Sequence, residues 1–240
     1  MARRTIPQPR KPVVASRFTR KLLAWYRRAA RDLPWRRTRD PYRVLVSEFM
    51  LQQTQVSRVE EYYPRFLKRF PTVERLAQSK RKAVMETWEG LGYYARARNL
   101  HALAKHVTRR HVARIPSEPE ELVKLPGVGR YTAGAVASFA YEKPVAAVDT
   151  NVARVVRRVF FGERALARRS PEPRLQPVEG GGRNQREIWA LATTLVPKSG
   201  KRAWKFNQAM MELGATVCKA RTPNCPQCPV RQECKTGRSR

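Results

Sequence analysis

All four cysteines of the chain lie in one short stretch near its C-terminal end. They are Cys218, Cys225, Cys228 and Cys234, in the spacing C-x6-C-x2-C-x5-C. Four thiolates that converge from one irregular segment can hold a tetrahedral zinc ion or a [4Fe-4S] cluster, and spacing alone does not distinguish the two. Disulfide bonds are the competing interpretation, but the sequence shows no secretory signal and such bonds rarely persist in a reducing cytosol. Prolines beside the cysteines disfavour a regular helix and predict a ligand loop.

A large excess of basic residues is the second strong feature. The chain has 50 Lys and Arg residues against 19 Asp and Glu residues, a formal net charge of +31. An arginine-rich host composition would explain part of this excess, but such a charge repels itself unless a polyanion neutralises it. We therefore expect a nucleic acid, DNA or RNA, as the partner. An anionic membrane surface is the lesser option, because the basic residues are spread along the chain. No stretch approaches the roughly 20 apolar residues of a membrane span, so we expect a soluble intracellular protein. We further expect a cytoplasmic, nucleoid-associated monomer that binds double-stranded DNA.

Apolar residues repeat with a helical period along most of the chain, and no segment alternates as a strand does. The sequence therefore predicts an all-α protein with two helical lobes. Residues 1–15 are expected to form a flexible basic arm and 35–147 a six-helix barrel domain, while 16–34 and 148–240 form a second domain with the cysteine loop. The stretch 163–184 contains three prolines and three consecutive glycines, which predicts a long loop.

Capping signals locate several helix starts. Ser16 is expected to cap the first helix, and Asp40 followed by Pro41 marks the second start. Ser117 and Glu120 have the spacing of a capping box that opens a short helix. Further helices are predicted over 58–69, 72–78, 81–88, 95–110, 117–124, 130–141, 150–160, 185–196 and 203–217.

A hairpin with two glycines, Leu125-Pro126-Gly127-Val128-Gly129, separates two of these helices. Helix, hairpin and helix together predict a helix-hairpin-helix element. Its glycines let backbone N–H groups approach a phosphate, and Arg130 begins a helix whose positive N-terminal end adds to the attraction. Such an element holds the DNA backbone without reading sequence. A glycine-rich turn alone is more often only a turn, but the flanking helices and the net charge favour DNA.

A second glycine-framed turn, Gly90-Leu91-Gly92-Tyr93-Tyr94, places tandem tyrosines at the start of a predicted helix. Exposed aromatic side chains beside basic residues can wedge into a base stack. We therefore assign Tyr93 and Arg96, with Arg98 nearby, to DNA contact. Tyrosines packed in the core with paired hydroxyls are the alternative.

Glu48 lies within a segment that is apolar around nearly its whole circumference, which predicts a buried helix. Burying an unpaired carboxylate is costly, so such a group finds a partner or keeps its proton. A buried carboxylic acid beside a pocket is suited to general acid catalysis. A glutamate that reaches water or pairs with arginine is the structural alternative.

Asp149 precedes a helix with the apolar stripe Val152, Val155, Val156 and Val159, and its simplest role is that of an N-cap. Capping and catalysis are compatible, because we expect backbone donors to keep a capping carboxylate ionised. One protonated and one ionised carboxyl group are what cleavage of a glycosidic bond through a cationic sugar requires.

These motifs together resemble the helix-hairpin-helix DNA glycosylase superfamily, which includes endonuclease III and the MutY adenine glycosylases. The most specific match to the MutY branch runs from Ser47 to Val56 (SEFMLQQTQV). The similarity extends from about Leu33 to Cys234. Supporting matches are LPWR at 33–36, GLGYYARARN at 90–99, the hairpin at 125–129, FNQAMMEL at 206–213 and the cysteine run.

The resemblance implies a role for each matching residue. Glu48 would protonate the departing adenine at N7, Asp149 would stabilise the oxocarbenium-like sugar, and Tyr131 and Asn151 would flank the site. Residues that would fill or wedge the base stack are Gln52, Gln53 and Tyr93. Residues near the adenine pocket would be Trp35, Arg36 and Leu51. The resemblance also implies that the four cysteines bind a [4Fe-4S] cluster rather than zinc.

One position indicates the reaction type, and two features depart from the MutY pattern. Tyr131 occupies the position of the Schiff-base lysine of endonuclease III-like enzymes, and a phenol cannot form that imine, so a monofunctional glycosylase is predicted. Thr150 follows Asp149 where MutY enzymes usually have glycine. The sequence ends at Arg240, so the resemblance covers the MutY catalytic region without the C-terminal domain that recognises 8-oxoguanine.

The leading prediction is therefore base excision repair by release of adenine mispaired with 8-oxoguanine or guanine. The nearest alternative is the thymine or uracil mismatch glycosylase branch, which shares the tyrosine at position 131 but generally lacks the acid at position 48. A non-catalytic DNA-binding protein of the same fold is the third possibility. Retention of both Glu48 and Asp149 argues against it.

Overall fold

The computed structural model describes residues 12–162 and 183–239. Every regular element within these two ranges is helical, in agreement with the predicted all-α class. None of the described helices combines the length and the apolar character that crossing a bilayer would need.

Eleven α-helices lie within the described ranges. They are α1 (Pro12–Ala29), α2 (Pro41–Leu51), α3 (Val56–Arg69), α4 (Val73–Gln78), α5 (Arg81–Thr87), α6 (Ala95–Arg110), α7 (Pro119–Leu122), α8 (Arg130–Tyr141), α9 (Thr150–Val156), α10 (Arg183–Leu195) and α11 (Gly200–Thr216). Helix α9 continues directly into a π-helical segment, Arg157–Phe161. Short 3-10 turns occur at Pro34–Arg36, Arg231–Glu233 and Gly237–Ser239.

The chain folds as two compact units. Asp32–Glu142 forms the central unit, while the described residues up to Arg31 and from Lys143 onward form the discontinuous unit. These boundaries lie a few residues before the predicted ones at 34/35 and 147/148. The turn Pro34–Arg36 belongs to the central unit because it packs against α2.

Helix α2 is the core of the central unit. Eight of its 11 residues are buried, from Tyr42 and from Val44 through Met50, as its nearly continuous apolar sequence predicts. It packs against α3, α6 and α8. Helix α8 presents a run of small buried residues, including Ala133, Gly134, Ala135 and Ala137, and small side chains let two helix backbones approach closely.

The core of the discontinuous unit forms around the predicted valine stripe of α9. Val152, Val155, Val156 and Val159 are all buried there. Their apolar partners come from α1, α10 and α11, and include Phe18, Leu22, Ile188, Trp189, Phe206, Met210 and Leu213. The C-terminal cysteine segment joins the same core through Val230 and Cys234.

The helix starts agree with the predictions at two positions and differ at two others. Asp40 and Asp149 are N-caps, as predicted, and accept backbone hydrogen bonds from Arg43 and Val152. Ser16 is not an N-cap, since α1 already begins at Pro12, where proline suits a first helical turn. Ser117 does not complete a capping box either, because the cap residue of α7 is Glu118. The Ser117 hydroxyl donates instead to the carboxylate of Glu118, at 3.1 Å.

Two predicted flexible segments fall mainly outside the described residues. Of the expected arm 1–15, residues 12–15 are helical, whereas 1–11 lie outside the described ranges. Of the expected loop 163–184, residues 163–182 lie outside them, while 183 and 184 belong to α10.

Candidate functional site

Asp149 is held by hydrogen bonds within the discontinuous unit. Its Oδ1 accepts from the backbone N–H of Val152 at 2.7 Å, and its Oδ2 accepts from Nδ2 of Asn151 at 2.8 Å. Nη2 of Arg154 donates to Oδ1 of Asn151 at 2.7 Å. Because that oxygen accepts from arginine, the Asn151 amide must turn its NH2 group toward Asp149. The structure therefore brings together two of the predicted catalytic residues, Asp149 and Asn151.

Arg154 also connects this pair to the helix and loop that follow. Its Nη2 donates to the carbonyl oxygen of Gly214 at 2.7 Å, and its Nε donates to the carbonyl oxygen of Cys218 at 2.8 Å. Gly214 itself permits close packing, because a Cβ there would lie 2.7 Å from Cβ of Asn151 and 3.0 Å from its carbonyl oxygen. The position of Asn151 thus depends on the absence of a side chain in α11.

Burial raises the pKa of Asp149 above its ordinary value. The hydrogen bonds from Val152 and Asn151 and the charge of Arg154 oppose the rise without cancelling it. The capping donors lower the pKa of Asp149, as expected, but the loss of solvent contact is the larger effect, so the net shift is upward.

The raised pKa leads to a prediction for pH dependence. If ionised Asp149 stabilises a cationic sugar, kcat/KM for base release should fall on the acid side at a pH above the ordinary aspartate pKa of about 4. Arg154→Met should move this acid limb to still higher pH, because a charge that lowers the pKa is removed. If the acid-side fall of kcat/KM occurred at the same pH in Arg154→Met as in the wild type, the titrating group would not be Asp149.

The raised pKa of Asp149 also fixes how its contribution to folding stability changes with pH. Because the folded-state pKa is raised, the contribution of Asp149 to stability is present below the unfolded pKa. It declines as pH rises from the unfolded toward the folded value, where the buried group must ionise. Thermal unfolding of the wild type and Asp149→Asn across the acid range would measure this difference.

Glu48 lies in α2, in the central unit, and is only 5% exposed. It is surrounded in sequence by buried residues of the same helix, so its burial is as predicted. Tyr131, the second residue of α8, is half-buried. Because α8 packs against α2, the helix that carries Glu48 and the helix that carries Tyr131 are direct neighbours in this unit.

The hairpin before α8 has the geometry that its glycines predict. Gly127 has a φ of +74° and is exposed, while Val128 is buried. A Cβ on Gly127 would lie 2.6 Å from Cβ of Asn99 and 3.0 Å from a ring carbon of Phe49. Glycine is therefore required twice, for the left-handed backbone and for close packing. Gly129 caps α8, and Arg130 follows it at the surface.

Gln53 and Tyr93 each occupy a left-handed backbone conformation in an exposed turn. Gln53 has a φ of 56°, and Tyr93 has a φ of 47° with 61% of its surface exposed. Such conformations are uncommon for residues other than glycine and are concentrated at functional sites. Gln52, directly after α2, is half-buried. The exposed tyrosine fits the predicted wedge better than the alternative of a core tyrosine.

Arg96 does not lie where the DNA-contact assignment placed it. The side chain is only 6% exposed, and its guanidinium group donates to backbone carbonyl oxygens of the central unit. Burial lowers its pKa, and nearby Tyr93 opposes the change. Arg98, two residues later on α6, is exposed. Arg96 is thus turned inward, and Arg98 is the arginine of this pair that can reach a phosphate.

The predicted base-pocket residues differ in exposure. Trp35 is buried and packs edge-on against Tyr63, with ring centroids 5.7 Å apart, so it belongs to the central core. Arg36 is partly exposed in the same 3-10 turn, and Leu51 is half-buried at the end of α2.

The four cysteines converge on one cavity in the discontinuous unit. Cys218, Cys225, Cys228 and Cys234 all line it, together with apolar residues such as Val155, Val159 and Leu213. All four are free thiols, which argues against the disulfide interpretation. Burial raises the pKa of Cys228 to about 11, and the three other cysteines add to the rise. Thiolates packed this way repel one another, so a bound cationic metal is what would keep them ionised.

Arg158, in the π-helical segment, holds both ends of the cysteine loop. Its Nη1 lies 3.5 Å from Sγ of Cys218 and donates to the carbonyl oxygen of Lys219 at 2.7 Å. Its own carbonyl oxygen accepts from the Thr236 hydroxyl at 3.0 Å. In a π-helix each backbone N–H bonds the carbonyl oxygen five residues earlier. The carbonyl oxygens of Arg158 and Val159 instead accept from the backbone N–H groups of Thr236 and Lys235 in the cysteine loop.

The comparisons with known proteins agree with this architecture. The model of the HhH-GPD superfamily base excision DNA repair proteins matches residues 46–176. Over 210 residues the chain is 46% identical to the adenine DNA glycosylase of Mycobacterium tuberculosis (strain CDC 1551 / Oshkosh), covering 87% of this chain and 64% of that protein. Over 227 residues it is 44% identical to the adenine DNA glycosylase of Homo sapiens, covering 91% and 39%.

A solved structure extends the comparison to the fold. The structure of a thermostable thymine-DNA glycosylase matches with a TM-score of 0.81 and 30% identity, covering 95% of this chain and 98% of that one. The chain therefore belongs to the HhH-GPD superfamily of base excision DNA repair proteins. It spans less than two thirds of the length of the two adenine DNA glycosylases.

Three residues that organise these sites carry no motif in the sequence. Arg154 and Arg158 lie on α9 or its extension, three and seven residues after Asn151. Gly214 lies within a predicted helix. A glycine within a helix is a usable signal of close packing, but the partner at position 151 is not visible in the sequence.

Proposed function

We propose that this protein is a monofunctional DNA glycosylase that releases adenine mispaired with 8-oxoguanine or guanine. The similarity to adenine DNA glycosylases, at 44–46% identity over 87–91% of the chain, carries the proposal. The buried Glu48 and the hydrogen-bonded Asp149 and Asn151 support it, because this chemistry needs an acid and an anion stabilising a cationic sugar.

In the proposed reaction the C1′–N9 bond of the deoxyadenosine breaks. Glu48 gives its proton to N7 while N9 takes the bonding electron pair, so adenine leaves as a neutral base. Ionised Asp149 stabilises the positive charge that develops on the sugar. Water then adds to C1′ and returns a proton to the Glu48 carboxylate, which leaves an abasic site. Asn151 would orient the Asp149 carboxylate through the 2.8 Å hydrogen bond.

Thymine or uracil mismatch excision is the second candidate. The fold match to a thymine-DNA glycosylase over 95% of the chain favours it, whereas identity is higher to the adenine enzymes. The deciding experiment measures base release from duplexes that contain A·8-oxoguanine, A·G, T·G or U·G pairs. Adenine release alone supports the proposal. Release of thymine or uracil with adenine retained would overturn it.

The monofunctional character of the proposed enzyme yields a further prediction. Tyr131 cannot form an imine with the sugar, so borohydride should trap no covalent enzyme–DNA adduct. Tyr131→Lys is expected to permit trapping, because it places an amine at the start of α8. Trapping with the wild type would contradict the proposed role of Tyr131.

Duplex DNA is the proposed partner, held at the hairpin Leu125–Gly129 and the N-terminal end of α8. The exposed Gly127 and Arg130 and the net charge of +31 support this surface. Tyr93 and Gln53, in their left-handed turns, are proposed to enter the base stack while the target nucleotide is extruded.

The cysteine cavity is proposed to hold a [4Fe-4S] cluster through Cys218, Cys225, Cys228 and Cys234. Such a cluster would order the loop and does not itself break the glycosidic bond. We predict that the purified protein contains about four iron ions and no zinc per chain. Cys225→Ser should lower both iron content and thermal stability, whereas Lys219→Ser, an exposed change in the same loop, should not. Stoichiometric zinc in anaerobically purified protein would contradict the cluster.

A further inference from the structure

We propose that Arg96 is a positioning residue that joins the end of α2 and the tyrosine turn Gly90–Tyr94 into one rigid DNA-contacting element. Its guanidinium group is buried among backbone carbonyls. We therefore assign Arg96 a structural role and no direct contact with DNA. The inference rests on the proposed function only for its activity measurement. The contacts of Arg96 with the end of α2 and with the turn Gly90–Tyr94, which we call the clamp, all lie within the central unit.

One side of the guanidinium caps α2. Nη1 of Arg96 donates to the carbonyl oxygens of Phe49 at 3.1 Å, Met50 at 2.6 Å and Gln52 at 2.5 Å. The last carbonyls of a helix have no partner within the helix and carry its negative dipole end. A buried cation there satisfies these carbonyls and is itself stabilised by them. The contact fixes the direction in which the chain leaves the helix of Glu48.

The other side of the guanidinium holds the tyrosine turn. Nη2 of Arg96 donates to the carbonyl oxygens of Leu91 at 3.2 Å and Gly92 at 3.0 Å. The guanidinium carbon lies 5.4 Å from the ring centroid of Tyr93 and 5.5 Å from that of Trp88. The planar group is thus fixed by stacking on aromatic rings as well as by hydrogen bonds.

Two of the carbonyl groups that Arg96 bonds come directly before residues with a strained, left-handed backbone. The Gln52 carbonyl belongs to the peptide bond that enters Gln53, and the Gly92 carbonyl belongs to the peptide bond that enters Tyr93. Both Gln53 and Tyr93 have positive φ. Strained conformations persist only where the surroundings hold them. One guanidinium group therefore holds both peptide planes and keeps the two side chains in a fixed relation.

A lysine could not replace this contact fully. Its ammonium is a compact charge with three donors, whereas the arginine fork reaches carbonyls on both sides at once. We expect Arg96→Lys to retain the contact with only one of the two segments. Arg96→Met, which keeps an unbranched apolar stem but has no charge and no donors, should lose both.

Amide hydrogen exchange measured by mass spectrometry on the DNA-free protein tests the clamp directly. In Arg96→Met, peptides covering 51–55 and 91–95 should both exchange faster by a similar factor. Arg98→Met, the exposed neighbour on α6, is the matched control and should change neither. Faster exchange in only one segment, or in neither, would overturn the proposal.

Single-turnover base release separates positioning from a general loss of stability. Arg96→Met should slow adenine release about tenfold or more through misplacement of the wedge, while DNA affinity stays within about threefold because no phosphate contact is lost. Leu103→Ala, a buried truncation in the same helix, controls for destabilisation and should retain the wild-type rate below its unfolding temperature. An equal loss of rate in Leu103→Ala would show that Arg96→Met acts through general destabilisation of the core, and it would overturn the positioning role.

The outcomes for the clamp and for the proposed function are distinguishable. If the wild type releases no base from any duplex, the proposed function fails, but hydrogen exchange still decides whether Arg96 couples the two turns. If base release proceeds and Arg96→Met weakens DNA binding with a smaller salt dependence, Arg96 contacts phosphate and the clamp is wrong.

Discussion

Glu48→Gln is expected to lower the single-turnover rate of adenine release by about 10²–10⁴-fold, the range for loss of a general acid. Glutamine has nearly the same shape but no acidic proton, so the buried helix α2 should stay intact around position 48. DNA affinity should change little, because a side chain that is 5% exposed makes little contact with a phosphate. Rapid-quench assays and binding titrations on an A·8-oxoguanine duplex would measure both quantities.

Glu60→Gln provides the matched control for this substitution. It removes the same charge from an exposed position on α3 in the same unit, so the rate of base release should stay close to that of the wild type. If Glu48→Gln retained more than about a tenth of the wild-type rate, the general acid would lie elsewhere.

Gly214→Ala is expected to slow base release by up to about 100-fold, although the altered residue is not itself assigned to catalysis. A methyl group at position 214 would lie 2.7 Å from Cβ of Asn151 and 3.0 Å from its carbonyl oxygen. Real Cβ atoms do not approach so closely, so Asn151 must move. Asp149 would then lose the 2.8 Å hydrogen bond that orients its Oδ2.

The sign of the stability change makes Gly214→Ala informative. At an open helical position, replacing glycine by alanine stabilises a protein by about 1 kcal/mol. Here the overpacking should outweigh that gain and destabilise the fold by about 1–3 kcal/mol. Thermal unfolding would show the sign, and a more stable Gly214→Ala variant with the wild-type rate would contradict the predicted clash.

Ala215→Gly is the matched control for Gly214→Ala. It lies next in the same helix but is exposed, so it should cost about 1 kcal/mol through helix propensity alone. Because Asn151 is not disturbed, base release should proceed at the wild-type rate. The pair of variants therefore separates a general loss of stability from displacement of Asp149.

Most helix bounds could be predicted from the sequence because they depend on local chemistry. The predicted helices at 95–110 and 130–141 have the bounds seen in the structure. Asp40 and Asp149 were identified as caps because a short acidic side chain before a helix bonds its first free N–H groups. The prediction failed at Ser16 and at Ser117, where a proline and a neighbouring glutamate begin the helices instead.

The side-chain environments could be predicted less well. The burial of Glu48 followed from the apolar sequence around it. The direction of the Asp149 pKa did not, because the sequence shows the capping donors but not how deeply the carboxyl group is buried. Arg96 was assigned to DNA for a similar reason. A basic residue beside exposed tyrosines indicates a DNA surface unless carbonyls from another segment enclose it.

Local sequence patterns were enough to predict the all-helical class, the position of the hairpin, the burial of Glu48 and the grouping of all four thiols in one loop. Each depends on spacing and periodicity over a few residues. Helix packing was needed to show that Arg96 turns inward, that Arg154 links Asn151 to Cys218 and that Gly214 makes room for Asn151. The contacts from Arg96 to Gln52 and from Arg154 to Cys218 join residues 44 and 64 positions apart. Such partners meet only once the helices have packed.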